Sequence, residues 1–153
     1  MATINPYLTF DGNCEQAFDF YKSVFGGEFT YMGRFKDMPP SPEFAVPESD
    51  KEKIMHVSLP IGGDSNLFGS DISASFGSKH IPGTNVSLSI NATTVDEATR
   101  LFMGLSAGGN VTMPLNKTFW GAFFGMFTDK FGVHWQVNCE LAEINDFENK
   151  NAK

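Results

Sequence analysis

The sequence predicts an α+β chain built from two tandem βαβββ modules, and three observations predict it. Runs with strand-like alternation are twice followed by a helical apolar stripe, each stripe stops at a Gly-Gly pair, and the two stripes align with one another at a nearly constant offset. Composition fits a folded domain. The 153 residues carry 11 basic and 18 acidic side chains, a net charge of −7 at neutral pH, with 16 Phe beside 3 Tyr and 2 Trp. A chain of roughly 150 residues buries about two thirds of the surface it exposes when unfolded, enough for a core without disulfide or metal staples. Only 19% of residues are charged while 14% are aromatic, which argues against disorder. The acidic balance, with no basic run, argues against nucleic acid or an anionic membrane as partner.

Residues 4–10 alternate crudely and read as the first strand. Asn13-Cys14-Glu15-Gln16 opens a helix with Ala17, Phe18, Phe20, Tyr21, Val24 and Phe25 at helical spacing, and Gly26-Gly27 ends it. Strands are expected at 28–35, 53–59 and 65–69. In the second half Val86, Leu88 and Ile90 alternate with serines, Thr94-Val95-Asp96-Glu97 reads as a capping box, and Ala98, Leu101, Phe102 and Leu105 make the second stripe before Gly108-Gly109. Strands are then expected at 111–115, 119–128 and 133–138. Glu15-Gln16-Ala17 matches Asp96-Glu97-Ala98 at an offset of 81, and Gly26-Gly27 matches Gly108-Gly109 at 82. The predicted organisation is one domain over residues 1–139, with modules at about 1–69 and 85–139, a Ser/Gly-rich linker at 70–84 and a C-terminal tail at 140–153. Residues 36–53 hold four of the eight prolines and are too long for a hairpin turn, so they lie over a cavity or a partner or are mobile.

No apolar run reaches the ~18 to 20 residues of a membrane span, and the first residues lack the charged and apolar regions of a signal peptide, so a cytoplasmic location is expected. Cys14 and Cys139 are then expected as free thiols.

Several residues together carry a family resemblance. Pro6-Tyr7-Leu8, Gly12-Asn13-Cys14, Ala17-Phe18, Phe20-Tyr21, Phe25-Gly26-Gly27, Met38-Pro39, His56, Asp71 and Thr118-Phe119-Trp120 are followed by Thr128-Asp129-Lys130-Phe131-Gly132-Val133-x-Trp135. The set, from about residue 4 to residue 139, resembles the PhnB-like family of the vicinal oxygen chelate (glyoxalase, bleomycin-resistance and dioxygenase) superfamily. The resemblance implies that the eight strands form a half-open cup, usually in a homodimer.

In such a fold one face of each strand packs on helices and the other lines the cup, so alternation sorts the candidates. Leu8 and Phe10, Met55, Val57 and Leu59, Val86, Leu88 and Ile90, and Trp135 and Val137 go to the core. Tyr7 and Thr9, His56 and Ser58, Ser87, Ser89 and Asn91, and His134, Gln136 and Asn138 go to the cup. The expected ligand wall is Tyr7, Ser87, Trp120, Phe123, His134 and Gln136, with the aromatic run at 119–127 serving either as that wall or as a dimer seam.

Metal-dependent members of the superfamily place one ligand on the opening and one on the closing strand of each module. The matching positions here are Tyr7, a residue near Phe68, Ser87 and Gln136. A divalent cation needs strong lone pairs, and preferably negative charge, to offset dehydration. A phenol, a hydroxyl and an amide do not supply that, so neither metal nor other cofactor is expected.

His56 is the candidate acid/base residue, because an imidazole accepts or donates a proton near neutrality, with a hydrogen-bonded wall histidine as the alternative. Asp129, before Phe131-Gly132, reads as a turn residue. Phosphate loops, nucleophile elbows, Cys-x-x-Cys and dinucleotide fingerprints are all missing from the sequence. The function expected is therefore binding of a small organic molecule without metal. The alternatives are a lyase, isomerase or dioxygenase that uses His56 or a metal, and an interaction protein whose aromatic strand closes a dimer.

Overall fold

The structure, a computed structural model, describes residues 1–77 and 79–141. Ser78 of the expected linker and residues 142–153 of the expected tail lie outside the described residues. The elements are β1 (Tyr7–Phe10), α1 (Cys14–Phe25), β2 (Tyr31–Arg34), β3 (Ile54–Gly62), β4 (Ser65–Asp71), β5 (Leu88–Asn91), α2 (Val95–Ser106), β6 (Asn110–Lys117), β7 (Ala122–Thr128) and β8 (His134–Glu140). They form two four-stranded sheets of identical topology, β1-β4-β3-β2 and β5-β8-β7-β6. In each sheet the opening strand runs parallel to the closing strand and the other pairs are antiparallel. The chain divides into two compact units, Met1–Ile81 and Pro82–Lys153, one per module.

In the first unit α1 buries Ala17, Phe18 and Tyr21 of the predicted stripe, with Cys14 beside them, while Phe20, Val24 and Phe25 are only half-buried. Phe18 meets Phe10 edge-on at 6.2 Å and lies so close to β4 that a Cβ on Gly69 would stand 2.5 Å from its ring. Only glycine fits there. The start of α1 is capped from a distance. Asn13 makes no side-chain cap; instead the buried Asp71 carboxylate, at the end of β4, accepts the N–H groups of Gly12, Cys14 and Ile54 at 2.9 Å each. The Arg34 guanidinium grips Glu15 with both terminal nitrogens, at 2.6 and 3.0 Å, and ties the helix to β2.

A bulge between Gly33 and Arg34 alters one expected face: Gly33 pairs with His56 but Arg34 with Ile54. Ile54 therefore fills the core, and Met55, expected there, is only half-buried and lines a cavity with Thr9 and Ser70.

The proline-rich segment 36–53 folds back over this unit. Phe76 is stacked between Phe35, at 5.8 Å, and Phe44, at 5.5 Å. Below the stack, buried Asp50 accepts hydrogen bonds from the Ser73 hydroxyl, at 2.8 Å, and from the Ala74 N–H, and pairs with Lys53 at 2.8 Å.

In the second unit Thr94 caps α2, accepting the Glu97 N–H at 3.1 Å, and the Glu97 carboxylate in turn accepts the Thr93 N–H. Ala98, Leu101, Phe102 and Leu105 are buried as predicted. Phe102 meets Phe127 edge-on at 5.0 Å and covers Gly125, where a Cβ would stand 2.6 Å from its ring. Asp129 exceeds its expected turn role. It is buried, accepts the N–H groups of Phe131 and Val133, and takes the Trp135 indole N–H at 2.8 Å.

Several strand expectations need correction. Residues 4–6 and 28–30 precede β1 and β2 rather than belong to them. Residues 119–121 are not strand: Gly121, at φ 81°, closes a turn by donating to the Thr118 carbonyl, and β7 starts at Ala122. Val86 and Ser87 precede β5 and are exposed rather than one buried and one inward, because pairing begins at Leu88 opposite Trp135.

Candidate functional site

The open face of the first sheet gathers rings around one imidazole. Register places Tyr7 beside Phe68, Phe68 beside Ser58, and Gly33 beside His56. Tyr7, His56 and Phe68 consequently stand on the face opposite α1. The His56 ring lies 5.6 Å from Tyr7, nearly parallel to it, 5.6 Å from Phe68 and 5.8 Å from Tyr31. The Tyr31 ring folds back over Gly33, where a Cβ would stand 2.5 Å from its hydroxyl, so the glycine lets the phenol reach the histidine. Three aromatic rings thus surround a half-buried imidazole.

The Tyr7 hydroxyl is 3.2 Å from His56 Nδ1. When the phenol donates, the neutral imidazole carries its proton on Nε2, an N–H with no protein partner among the described residues. The chemistry on offer is flat apolar surface with one directional polar group.

The second sheet is more polar. Ser89 pairs with Gln136, Asn91 and Phe124 each pair with Asn138, and Met126 pairs with Gln136, which puts these side chains on the face opposite α2. Gln136 is therefore on the expected face, but its cross-strand partner is Ser89 and not Ser87. Phe123 lies on the other face, since it pairs with buried Cys139 and alternates with Gly125 and Phe127 under Phe102. Expected as wall beside Gln136, Phe123 is a helix-side residue, and Phe124 and Met126 take its place. Trp120 is half exposed on the β6–β7 turn, edge-on to Phe119 at 4.9 Å and 6.1 Å from Phe124.

His134 is engaged at both nitrogens. The Gly83 carbonyl, 3.0 Å from Nε2, can only accept, so Nε2 carries the proton and Nδ1 accepts from the Thr128 hydroxyl at 2.8 Å. The ring is used in holding the segment before β5, and neither nitrogen is left for a ligand.

Neither sheet offers a strong donor pair at the opening and closing strands. The first has Tyr7 beside Phe68, which has no donor, and the second has Ser89 beside Gln136. A divalent cation does not fit a phenol, a hydroxyl and an amide. Among the described residues no three His, Cys, Asp or Glu side chains converge. The thiol of Cys14 is also poorly suited to chemistry, because burial, then the Asp71 and Glu15 charges, push its pKa far above the usual range.

Comparisons with known proteins agree with this architecture. The family model of the Glyoxalase/Bleomycin resistance protein/Dioxygenase superfamily matches residues 3–137, and the chain belongs to that superfamily. Protein YjdN of Escherichia coli (strain K12) is 33% identical over 141 residues, covering 88% of this chain and 93% of the relative. The crystal structure of protein PA1353 from Pseudomonas aeruginosa is 44% identical with a TM-score of 0.79, covering 92% of this chain and 98% of that one. The PhnB protein from Bacillus cereus is 25% identical with a TM-score of 0.69, covering 90% and 99%, and the chain is a PhnB-like member of the superfamily. Among the described residues no helix is long and apolar enough to cross a membrane.

Missing from the sequence reading were Tyr31 as a member of the histidine cluster and Ser89 as the partner of Gln136. Alternation alone placed Ser89 on the cup side. Tyr31 required the cross-strand pairing of β2 with β3, for which Tyr31-x-Gly33, a ring two residues from a glycine on one strand face, was the available signal.

Proposed function

We propose that this protein binds a small organic molecule on the open face of its first sheet, without a metal. The observation that carries this reading is the half-buried His56, ringed by Tyr7, Tyr31 and Phe68 and held at Nδ1 by a phenol. A flat ligand gains contact area and stacking from the three rings, each aromatic pair contributing about 0.5–1.5 kcal/mol beyond burial. The His56 Nε2–H supplies orientation by donating to a carbonyl, hydroxyl or ring nitrogen of the ligand. On the second sheet, Ser89, Gln136 and Asn138 form a separate uncharged strip suited to amide or hydroxyl partners. Trp120, half exposed, adds an aromatic edge at the adjoining turn. Homodimerisation accompanies the reading as an expectation from the superfamily.

The test is a fragment panel of planar heteroaromatics read by ligand-observed NMR against the wild type and His56→Ala. Binding that His56→Ala weakens at least tenfold supports the reading; equal binding to both proteins defeats it.

A second reading, in which His56 also moves a proton, draws on the same hydrogen bond. Tyr7 donating to Nδ1 would help fix which nitrogen is basic and steady the ring during transfer. Turnover of any panel member that disappears in both His56→Ala and His56→Gln would favour it over simple binding.

A further inference from the structure

The open face of the first sheet continues beyond His56. Thr9 and Ser70 pair with one another two residues along from Tyr7 and Phe68, on the same face and roughly 7 Å further up the strands. There they line a cavity of about 290 Å³ whose other walls include Met55, Phe35 and Phe76. Contacts hold its rim: Phe76 is sandwiched by Phe35 and Phe44, and the Ser73 hydroxyl donates to Asp50 at 2.8 Å.

The lining defines what would enter. Asp71 borders the cavity, but its carboxylate is turned to three backbone N–H groups. Among the described residues no lysine, arginine or histidine lines the walls. The Thr9 and Ser70 hydroxyls have no hydrogen-bond partner among the described residues, so the cavity offers a thioether, two phenyl faces and two neutral hydroxyls. A charged group would lose its water with nothing to replace it. At the low end of ligand-cavity sizes, the space suits about one ring.

We infer that this cavity is the second compartment of the His56 face, and that the ligand is a two-part neutral molecule. A flat ring system lies against Tyr7, His56 and Phe68, and a hydroxyl- or carbonyl-bearing end no larger than one ring enters between Met55, Thr9 and Ser70. Met55 is then a specificity-determining residue, placed in the cavity by the bulge that moves Ile54 into the core. The inference rests on the binding reading of the His56 face.

The experiment uses 4-hydroxybiphenyl as probe and the full chain carrying ¹³C-methyl methionine, with the Met55 signal assigned through Met55→Leu. Binding is titrated by NMR for the wild type, His56→Ala, Ser70→Val and Met55→Trp, each first checked for an intact melting transition. Ser70→Val keeps a strand-compatible side chain should the larger Met55→Trp fail to fold. The expected result is probe-to-methyl cross-peaks at Met55, and affinity about tenfold lower in His56→Ala and at least threefold lower in Ser70→Val. Weakening by His56→Ala alone, without cross-peaks to Met55, overturns the second compartment and leaves the His56 face standing. Weakening by Ser70→Val alone overturns the two-part ligand. No binding to the wild type, or binding insensitive to every variant, overturns both.

Discussion

At the scale of single residues, the difference between His56 and His134 decides where a ligand is expected. Both lie on an open sheet face, but His134 spends both nitrogens on Thr128 and Gly83, while His56 keeps Nε2. Tyr7→Phe removes the phenol that biases the imidazole tautomer without removing the ring. Affinity for an acceptor-bearing probe is expected to fall about three- to tenfold, the value of one neutral hydrogen bond, as measured by titration. Asp129 is a purely structural residue by the same accounting. Asp129→Ala leaves the buried Trp135 N–H and two backbone N–H groups without their acceptor, and should cost about 3 kcal/mol or more, read as a drop of roughly 6–12 °C in melting temperature. Asp50 gives a pH signature. Its Lys53 and Ser73 partners hold its carboxyl below the usual range, so its contribution is complete above about pH 4 and is lost as pH falls through the depressed folded value. The stability advantage of the wild type over Asp50→Asn, followed by melting temperature, should be constant from neutrality down to about pH 5 and shrink below about pH 4.

At the scale of elements, each helix is seated on a glycine. Phe18 over Gly69 and Phe102 over Gly125 are the same solution in two modules, and a methyl group at either glycine would collide with a buried ring. Gly125→Ala and Gly69→Ala should each destabilise by about 1–3 kcal/mol through overpacking, measurable by urea unfolding, whereas Gly83→Ala, exposed and with only a side-chain atom at 3.5 Å, should be near neutral. The helices were legible in the sequence because period and Gly stops agreed over twelve residues in both, with the Thr94 cap added in α2. The aromatic run at 119–127 was only partly legible. Phe and Trp favour strands wherever they occur, and what turns the chain at 118–121 is one glycine at positive φ. Met55 was misplaced for a similar reason. The bulge at β2–β3 is a property of pairing between segments about twenty residues apart, and Ile54 is fixed there by its N–H bond to Asp71.

At the scale of the whole chain, the duplication is more faithful in order than in detail. β1 and β5, and α1 and α2, are each separated by 81 residues at both ends, and the two sheets share one strand order. The facing residues have nevertheless slipped by one. Leu8 and Phe10 face α1, but Leu88 and Ile90, not Ser89 and Asn91, face α2, because Leu88 and Ile90 pair with buried Trp135 and Val137. The modules have diverged in chemistry accordingly, one presenting a ringed histidine and the other an amide and hydroxyl strip. Fold and family could be read from sequence, since each rests on local pattern, and His56 stood out there as a candidate whose role the binding experiment tests. Tyr7 was also legible as a cup-facing residue, but the convergence of Tyr7, Tyr31 and Phe68 on His56 was not, because the rings come from three other strands. Native mass spectrometry of the protein purified from its own host, beside His56→Ala prepared identically, tests metal-free ligand binding at His56. A ligand held at His56 should appear as a non-covalently bound organic mass on the wild type that is absent from the variant. The same mass on both proteins, or a stoichiometric divalent metal on the wild type, would contradict it.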